Sequence, residues 1–229
     1  MIGILGAMSV EIDEIKSRIE EKEIETVGGF TFVRGQLHGK AVVAAECGIG
    51  KVNAAVCAQT MILTYRPELI INVGVGGSLS PALHYGDIAI ANNVVQHDFD
   101  TSCIGDPEGL VATVNKIYFD CDPAVVACIK AVVDDMEGVN GMVGTIASGD
   151  QFVADAAVKE RIVKRFGAIC CEMEGGAISH ACLLGGVKCA VIRSISDNAD
   201  DGSTTDYGQF VQMAAARSTE VLCRVMERL

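Results

Sequence analysis

Tryptophan is absent from the 229 residues, and aromatics make up only 5% of them. A core must therefore be filled by Ala, Val, Ile, Leu, Met and Cys, and half the chain is hydrophobic, enough for one sizeable core. Proline occurs four times against 25 glycines, which excludes proline-rich disorder and suits tight glycine turns in an α/β protein. Basic residues are also scarce. Eighteen Lys and Arg face thirty Asp and Glu, for a formal charge of −12. Such a surface repels phosphate backbones and anionic lipid, so neither nucleic acid nor a membrane is an expected partner. No apolar run reaches the roughly 18–20 residues of a membrane span. No basic segment precedes the short apolar run "MIGIL", so no signal peptide is predicted. No C-x-x-C spacing exists among the ten cysteines. Several lie inside apolar runs such as "AVCAQTMIL" and "AICCEME", as small core hydrophobes. Reduced thiols, no metal site and a cytoplasmic location are the expectation.

What is present is an alternation of strands and helices. "MIGIL" reads as a strand and Met8–Glu21 as an amphipathic helix with Ile12, Ile15 and Ile19 on one face. "GGFTFVRGQLHGKAVVAAECG" reads as a hairpin turning near His38-Gly39-Lys40. Helices are predicted at 50–65, 122–136, 156–166, 174–184 and 206–227. Strands are predicted in "ELIINVGVGG", "GDIAIANNVVQHD", "MVGTIASGD", "AICC" and "VKCAVIRSISD". Residues 98–121 read as one long irregular loop. The alternation predicts a mainly parallel sheet with helices on both faces, in one domain spanning 1–229.

A dinucleotide fingerprint needs three glycines between strand and helix. "MIGILGAMSV" offers only Gly3 and Gly6, "ECGIGKVNAA" only Gly48 and Gly50, and no phosphate-binding Lys follows "GVGGSL". The glycine turns therefore read as the strand ends of an open α/β sheet, where ligands bind and backbone can approach them closely. Acids stand at the same ends. Glu11 falls in the first turn of a helix, where it also suits the helix dipole. Glu172 and Glu174 follow directly on the apolar "AICC", and an unpaired buried carboxylate is costly. Asp197 ends "VIRSISD", with Arg193 and Ser196 nearby to orient or tune it. Carboxylates converging in one cleft suggest acid/base chemistry on a neutral, hydroxyl-rich substrate. Glycoside cleavage is the template: one acid assists the leaving group while another activates water. His97 follows a strand and precedes the long loop, a pocket-edge position. His38, His84 and His180 read as surface or packed residues.

"GILGAMSVEI", "ECGIGKVNAA", "IINVGVGGSL", "SGDQFV", "CEMEGGAISH" and "RSISDNAD" resemble, in order and from residue 1 to the final helix, the motifs of the 5′-methylthioadenosine/S-adenosylhomocysteine nucleosidases of the purine nucleoside phosphorylase superfamily. The resemblance implies a three-layer α/β/α sandwich around a mixed, barrel-like central sheet. It also implies a homodimer without metal or cofactor, and hydrolysis of 5′-substituted adenosines to adenine and a 5-substituted ribose, feeding methionine salvage. By the same resemblance Glu11 activates the attacking water and Asp197 protonates adenine N7, held by Ser196. Glu174 binds ribose hydroxyls with Glu172 in support, and Met173 packs on the sugar. Phe152 stacks on adenine and the Val153 backbone reads its edge. The loops of Ile49 and Val75 line the water and ribose side. Some relatives carry Ser in place of Val75. Residues 98–121 match least, which leaves the 5′ substituent open: methylthio, homocysteinyl, deoxy or a bulkier futalosine-type group.

Two rivals share this scaffold. A phosphorylase would use phosphate, which wants cationic partners that "GILGAMSVEI" and "NVGVGGSLS" do not offer. A non-catalytic nucleoside-binding protein would have lost one of Glu11, Glu174 and Asp197, and all are present.

Overall fold

The structure is a computed structural model that describes residues 1–200 and 202–229. Strand β1 (Ile2–Gly6) is followed by helix α1 (Ser9–Arg18), whose Ile12 and Ile15 are buried, with Ile19 buried just beyond it. The helix is shorter than its apolar spacing predicts. At Glu20 the chain turns into a strand, β2 (Glu20–Val27), which the sequence reading missed because "EEKEIETV" carries no alternation. Nearly every residue of β2 is exposed, and its charges blunt what is an edge strand. The hairpin forms as expected from β3 (Phe30–Leu37) and β4 (Lys40–Glu46).

Helix α2 (Lys51–Tyr65) leads to β5 (Leu69–Ser78), a strand buried along its whole length. β6 (Ile88–Gln96) follows. The segment read as wholly irregular contains two short 3₁₀ turns and the small strand β7 (Tyr118–Asp120), which pairs with β6. Then come α3 (Pro123–Asp134), β8 (Gly141–Ser148), α4 (Ala156–Phe166), β9 (Ala168–Glu172), α5 (Gly175–Gly185), β10 (Lys188–Asp197) and the long α6 (Ser203–Arg228). The Asp122 and Asp155 side chains cap α3 and α4 by accepting backbone N–H bonds.

β5 is the hub of the sheet. It pairs in parallel with β1 and β10 and antiparallel with β9. The path β5–β10–β6–β8–β9 returns to β5, closing a five-stranded mixed barrel, and β1, β4, β3 and β2 extend from it as a wing. Antiparallel pairings are as numerous as parallel ones, so the expected mainly parallel sheet is corrected. Barrel closure through β9 and β6, the β2–β4 meander and the β6–β7 pair supply them. The strand–helix alternation carries no information on pairing direction. One helix layer is α1, α3 and α6, the other is built around α2 and α5, and the sheet lies between them. Among the described residues no helix is long and apolar enough to cross a membrane. The cysteines are free thiols, Cys103 exposed and Cys128 half-buried, the others buried.

Candidate active site

The C-terminal ends of β1, β4, β5, β8, β9 and β10 and the loops after them surround one cavity. Glu11, Ile49, Val75, Phe152, Val153, Glu172, Met173, Glu174, Ser196 and Asp197 all line it. Six distant segments are thus brought to one place, where open α/β sheets bind ligands.

Glu11 is the third residue of α1 and turns back over its start. Its Oε2 accepts the N–H groups of Ala7 (2.8 Å) and Met8 (3.0 Å), and its Oε1 accepts that of Val75 (2.9 Å) on β5. The helix-start acid therefore caps its helix and also points into the cavity. Burial pushes its carboxyl up from the ordinary value, against the pull of Arg193 and of these N–H groups.

Asp197 ends β10 just past a bulge, where the β5–β10 register shifts between Ile195 and Asp197. The extra residue, Ser196, donates its hydroxyl to Asp197 Oδ2 at 2.9 Å, and Ala199 N–H donates to Oδ1 at 2.9 Å. Burial raises this carboxyl as well, and the two hydrogen bonds oppose it.

The glycines of "GVGG" have a steric reason. A methyl on Gly74 would overlap the Glu11 carboxylate, and one on Gly77 would stand 2.8 Å from Asp197 Oδ1. Each acid approaches β5 so closely that only hydrogen fits beneath it.

Glu172 and Glu174 frame the other wall. Glu172 Oε2 accepts the N–H groups of Glu174 (2.9 Å) and Gly175 (2.7 Å), and Oε1 accepts the Ser148 hydroxyl. Glu174 Oε1 accepts Gly50 N–H at 2.9 Å. Burial, then Glu172, lifts Glu174 to about 7.

Arg193 does not orient Asp197, which corrects the sequence reading. It lies buried beneath the cavity floor, ion-paired to Glu172, 3.7 Å from Glu174 Oε2 and hydrogen-bonded to Asn72 Oδ1 at 2.6 Å. Adjacency in sequence hid this, because on a strand the side chain's partner comes from the neighbouring strands. One buried cation thus answers Glu11, Glu172 and Glu174. Among the described residues no Lys, Arg or His lines the cavity. Such a site repels phosphate and favours positive charge developing on a sugar ring.

Phe152 stands half-exposed at the mouth, edge-on to Tyr207 with ring centroids 5.5 Å apart. Tyr207, in the first turns of α6, was missed by sequence reasoning. Its signal was weak: a lone aromatic in the polar "STTDYGQ" soon after "RSISDNAD". Its hydroxyl reaches Met8 Sδ at 3.2 Å, and Met8 also lines the cavity. His97, read as a pocket-edge residue, lies outside the lining. It is buried behind the wall with neither ring nitrogen bonded, and burial lowers its pKa. His180 packs on Phe119 (4.9 Å), also away from the cavity. Among the described residues no three His, Cys, Asp or Glu side chains are grouped as metal ligands.

Barrel, wing and electronegative cleft define a class: the sequence model of the phosphorylase superfamily matches residues 1–227. Over its whole length the chain is 36% identical to the 5′-methylthioadenosine/S-adenosylhomocysteine nucleosidase of Halalkalibacterium halodurans, 98% of which is covered. The crystal structure of the Neisseria meningitidis enzyme of the same name, in complex with methylthio-immucillin-A, superposes with a TM-score of 0.96 at 31% identity, covering 100% of this chain and 99% of that one. The futalosine hydrolase of Helicobacter pylori superposes with a TM-score of 0.95 at 35% identity, covering 100% and 97%. The chain belongs to the family of 5′-methylthioadenosine/S-adenosylhomocysteine nucleosidases, purine nucleosidases that hydrolyse an N-glycosidic bond.

Proposed function

We propose that this chain, as one domain spanning 1–229, hydrolyses 5′-methylthioadenosine, S-adenosylhomocysteine and related 5′-substituted adenosines to adenine and the 5-substituted ribose. The observation that carries the reading is the pair Glu11 and Asp197, two buried carboxyls raised above their ordinary values in one cleft. Adenine is a poor leaving group until N7 is protonated. Asp197, whose carboxyl burial biases toward the protonated form, is the acid, and Ser196 fixes its orientation. Glu11 takes the proton of the attacking water. Its three backbone N–H donors hold the carboxylate still, and its raised pKa makes it a stronger base. Glu174 accepts from the ribose hydroxyls, Glu172 locks Glu174 and its loop, and Met173 packs on the sugar. Phe152 stacks on adenine, the Val153 backbone reads its edge, and Ile49 and Val75 close the water and ribose side. No metal or cofactor is needed for these steps. The activity would serve methionine salvage, an amino-acid biosynthetic route of the cytoplasm.

A homodimer in which the partner closes the 5′ side is part of the proposal. Helices α2 and α5 expose Val52 (73%), Leu63 (69%) and Leu184 (67%), and Ile49 at the cavity wall is exposed as well. The likeness to a futalosine hydrolase favours a second reading, a bulkier 5′ group at the same site.

The test is adenine release from 5′-methylthioadenosine in phosphate-free buffer and with phosphate added. Release indifferent to phosphate is expected; release only with phosphate would make the chain a phosphorylase. Release from futalosine alone would move the substrate to the second reading. A pH profile adds to this. Glu174 accepts ribose hydroxyls best when ionised, so KM is expected to rise as pH falls through about 7. A flat KM between pH 6 and 8 would remove Glu174 from ribose binding.

A further inference from the structure

Two loops meet at the rim of the cavity. Residues 48–50 carry Ile49 and lead into α2; residues 149–153 follow β8 and carry Phe152 and Val153. Their junction is a closed ring of bonds. The Lys51 ammonium donates to Asp98 Oδ1 at 2.6 Å. The other oxygen of Asp98 accepts Asp150 N–H at 2.8 Å. The Asp150 carboxylate accepts Lys51 N–H at 2.7 Å, which returns to the start. One residue before Lys51, Gly50 N–H donates to Glu174. One residue before Asp150, Gly149 N–H donates to the Glu172 carbonyl at 3.1 Å.

We propose that Asp98, Lys51 and Asp150 form a clamp that fixes the Phe152–Val153 wall to Glu174, with Asp98 and Asp150 as positioning residues for N-glycosidic hydrolysis. This rests on the reading of that wall as the adenine side and of Glu174 as the ribose ligand. None of the three lines the cavity, so they act through the loops they join. Their bonds are of the strong, charge-assisted kind. The ion pair is shielded, with the Lys51 and Asp98 side chains 17% and 28% exposed, so it is not a freely solvated surface pair. Partial burial pushes the Asp98 carboxyl up, but the Lys51 and Asp150 donors outweigh it and hold the group below its ordinary value. Because both Asp98 bonds share one carboxylate, an amide in its place must turn an N–H₂ toward Lys51 or toward the Asp150 N–H. The ring then opens on one side whichever way it turns.

The chemistry gives the clamp its purpose. Base and sugar are joined by the bond that breaks, so the base-holding and sugar-holding walls must keep one relative placement for water and proton donor to act together. A misplacement of 1 Å can cost about 10²-fold in rate.

The experiment measures kcat and KM for adenine release, with Tm, in Asp98→Asn, Lys51→Met, their double variant and Phe152→Ala. Each clamp variant is expected to lose roughly tenfold in kcat/KM, with kcat contributing. The double variant is expected to lose little more than either single one, since one ring can open only once. Lowered Tm with unchanged kcat and KM would overturn the proposal, leaving the ring a structural tie. So would losses that multiply in the double variant. If Asp98→Asn does not fold, Lys51→Met, at the start of α2, carries the same test. An unchanged KM in Phe152→Ala would instead overturn the adenine-wall reading, and the clamp's purpose with it.

Discussion

Replacing Asp197 by asparagine is expected to lower adenine release by about 10²–10⁴-fold, the range a positioned general acid contributes, while the fold is kept. The shape of the side chain is retained. Asparagine Oδ1 can still accept Ala199 N–H, and its Nδ2 can donate to the Ser196 hydroxyl, which can turn toward the Gly76 carbonyl 3.4 Å away. What is lost is the proton for N7. The variant is also expected to be no less stable than the parent, for a reason set by sign. Burial raises the Asp197 pKa above its unfolded value. The stability such a group contributes is complete below the unfolded pKa and is lost as pH rises through the folded one. As pH rises the parent increasingly carries the less favourable ionised form, which asparagine never adopts. Thermal melts at pH 5 and pH 8 check this: the variant's Tm relative to the parent is expected to improve toward pH 8. Turnover near the parental rate would strip Asp197 of the acid role, and a large Tm loss at pH 8 would contradict the burial argument.

Replacing Glu11 by glutamine is expected to cost a similar factor, about 10²–10⁴ in kcat, through loss of the base. Binding of a nucleoside analogue with an uncleavable carbon–carbon link between base and sugar ring is expected to stay within a few-fold of the parent, by calorimetry. Here the structural consequence differs. Both oxygens of Glu11 face backbone donors, Val75 on one side and Ala7 and Met8 on the other. However the amide is turned, its N–H₂ meets an N–H, at a cost of about 1–3 kcal/mol for the unmet donor. Glu11→Gln is therefore expected to melt below Asp197→Asn. The reverse order, or hydrolysis that persists, would show that Glu11 does not occupy the place assigned to it.

Most of this site was legible in the sequence because its groups stand at strand ends beside glycines and apolar runs. Glu11, Glu174 and Asp197 each end or follow a recognisable element, and the cavity gathers them. Phe152 and Val153, on the turn after "IASGD", were reached only through the family resemblance of "SGDQFV". Four things were not legible. β2 is an exposed edge whose "EEKEIETV" has no face to bury, so periodicity is silent. The antiparallel closure of the barrel depends on which strands meet, and no single strand's pattern records that. Arg193 stands four residues from Asp197 but turns to Glu172 from another strand. Tyr207 joins the cavity only because α6 packs on β5 and β10.

The positions of Gly74 and Gly77 beneath the two acids make β5 a ruler. Three residues separate the seat of Glu11 from that of Asp197, about 10 Å at the pitch of an extended strand. That interval is backbone, buried along its length and paired to β10 throughout and to β9 at Gly77. Side-chain replacement cannot stretch it, and loosening of the outer loops leaves it unchanged. On the proposed roles, the spacing of the two acids along β5 is set by the barrel, while the placement of the adenine and ribose walls is set by the outer loops, so the two can fail separately on heating.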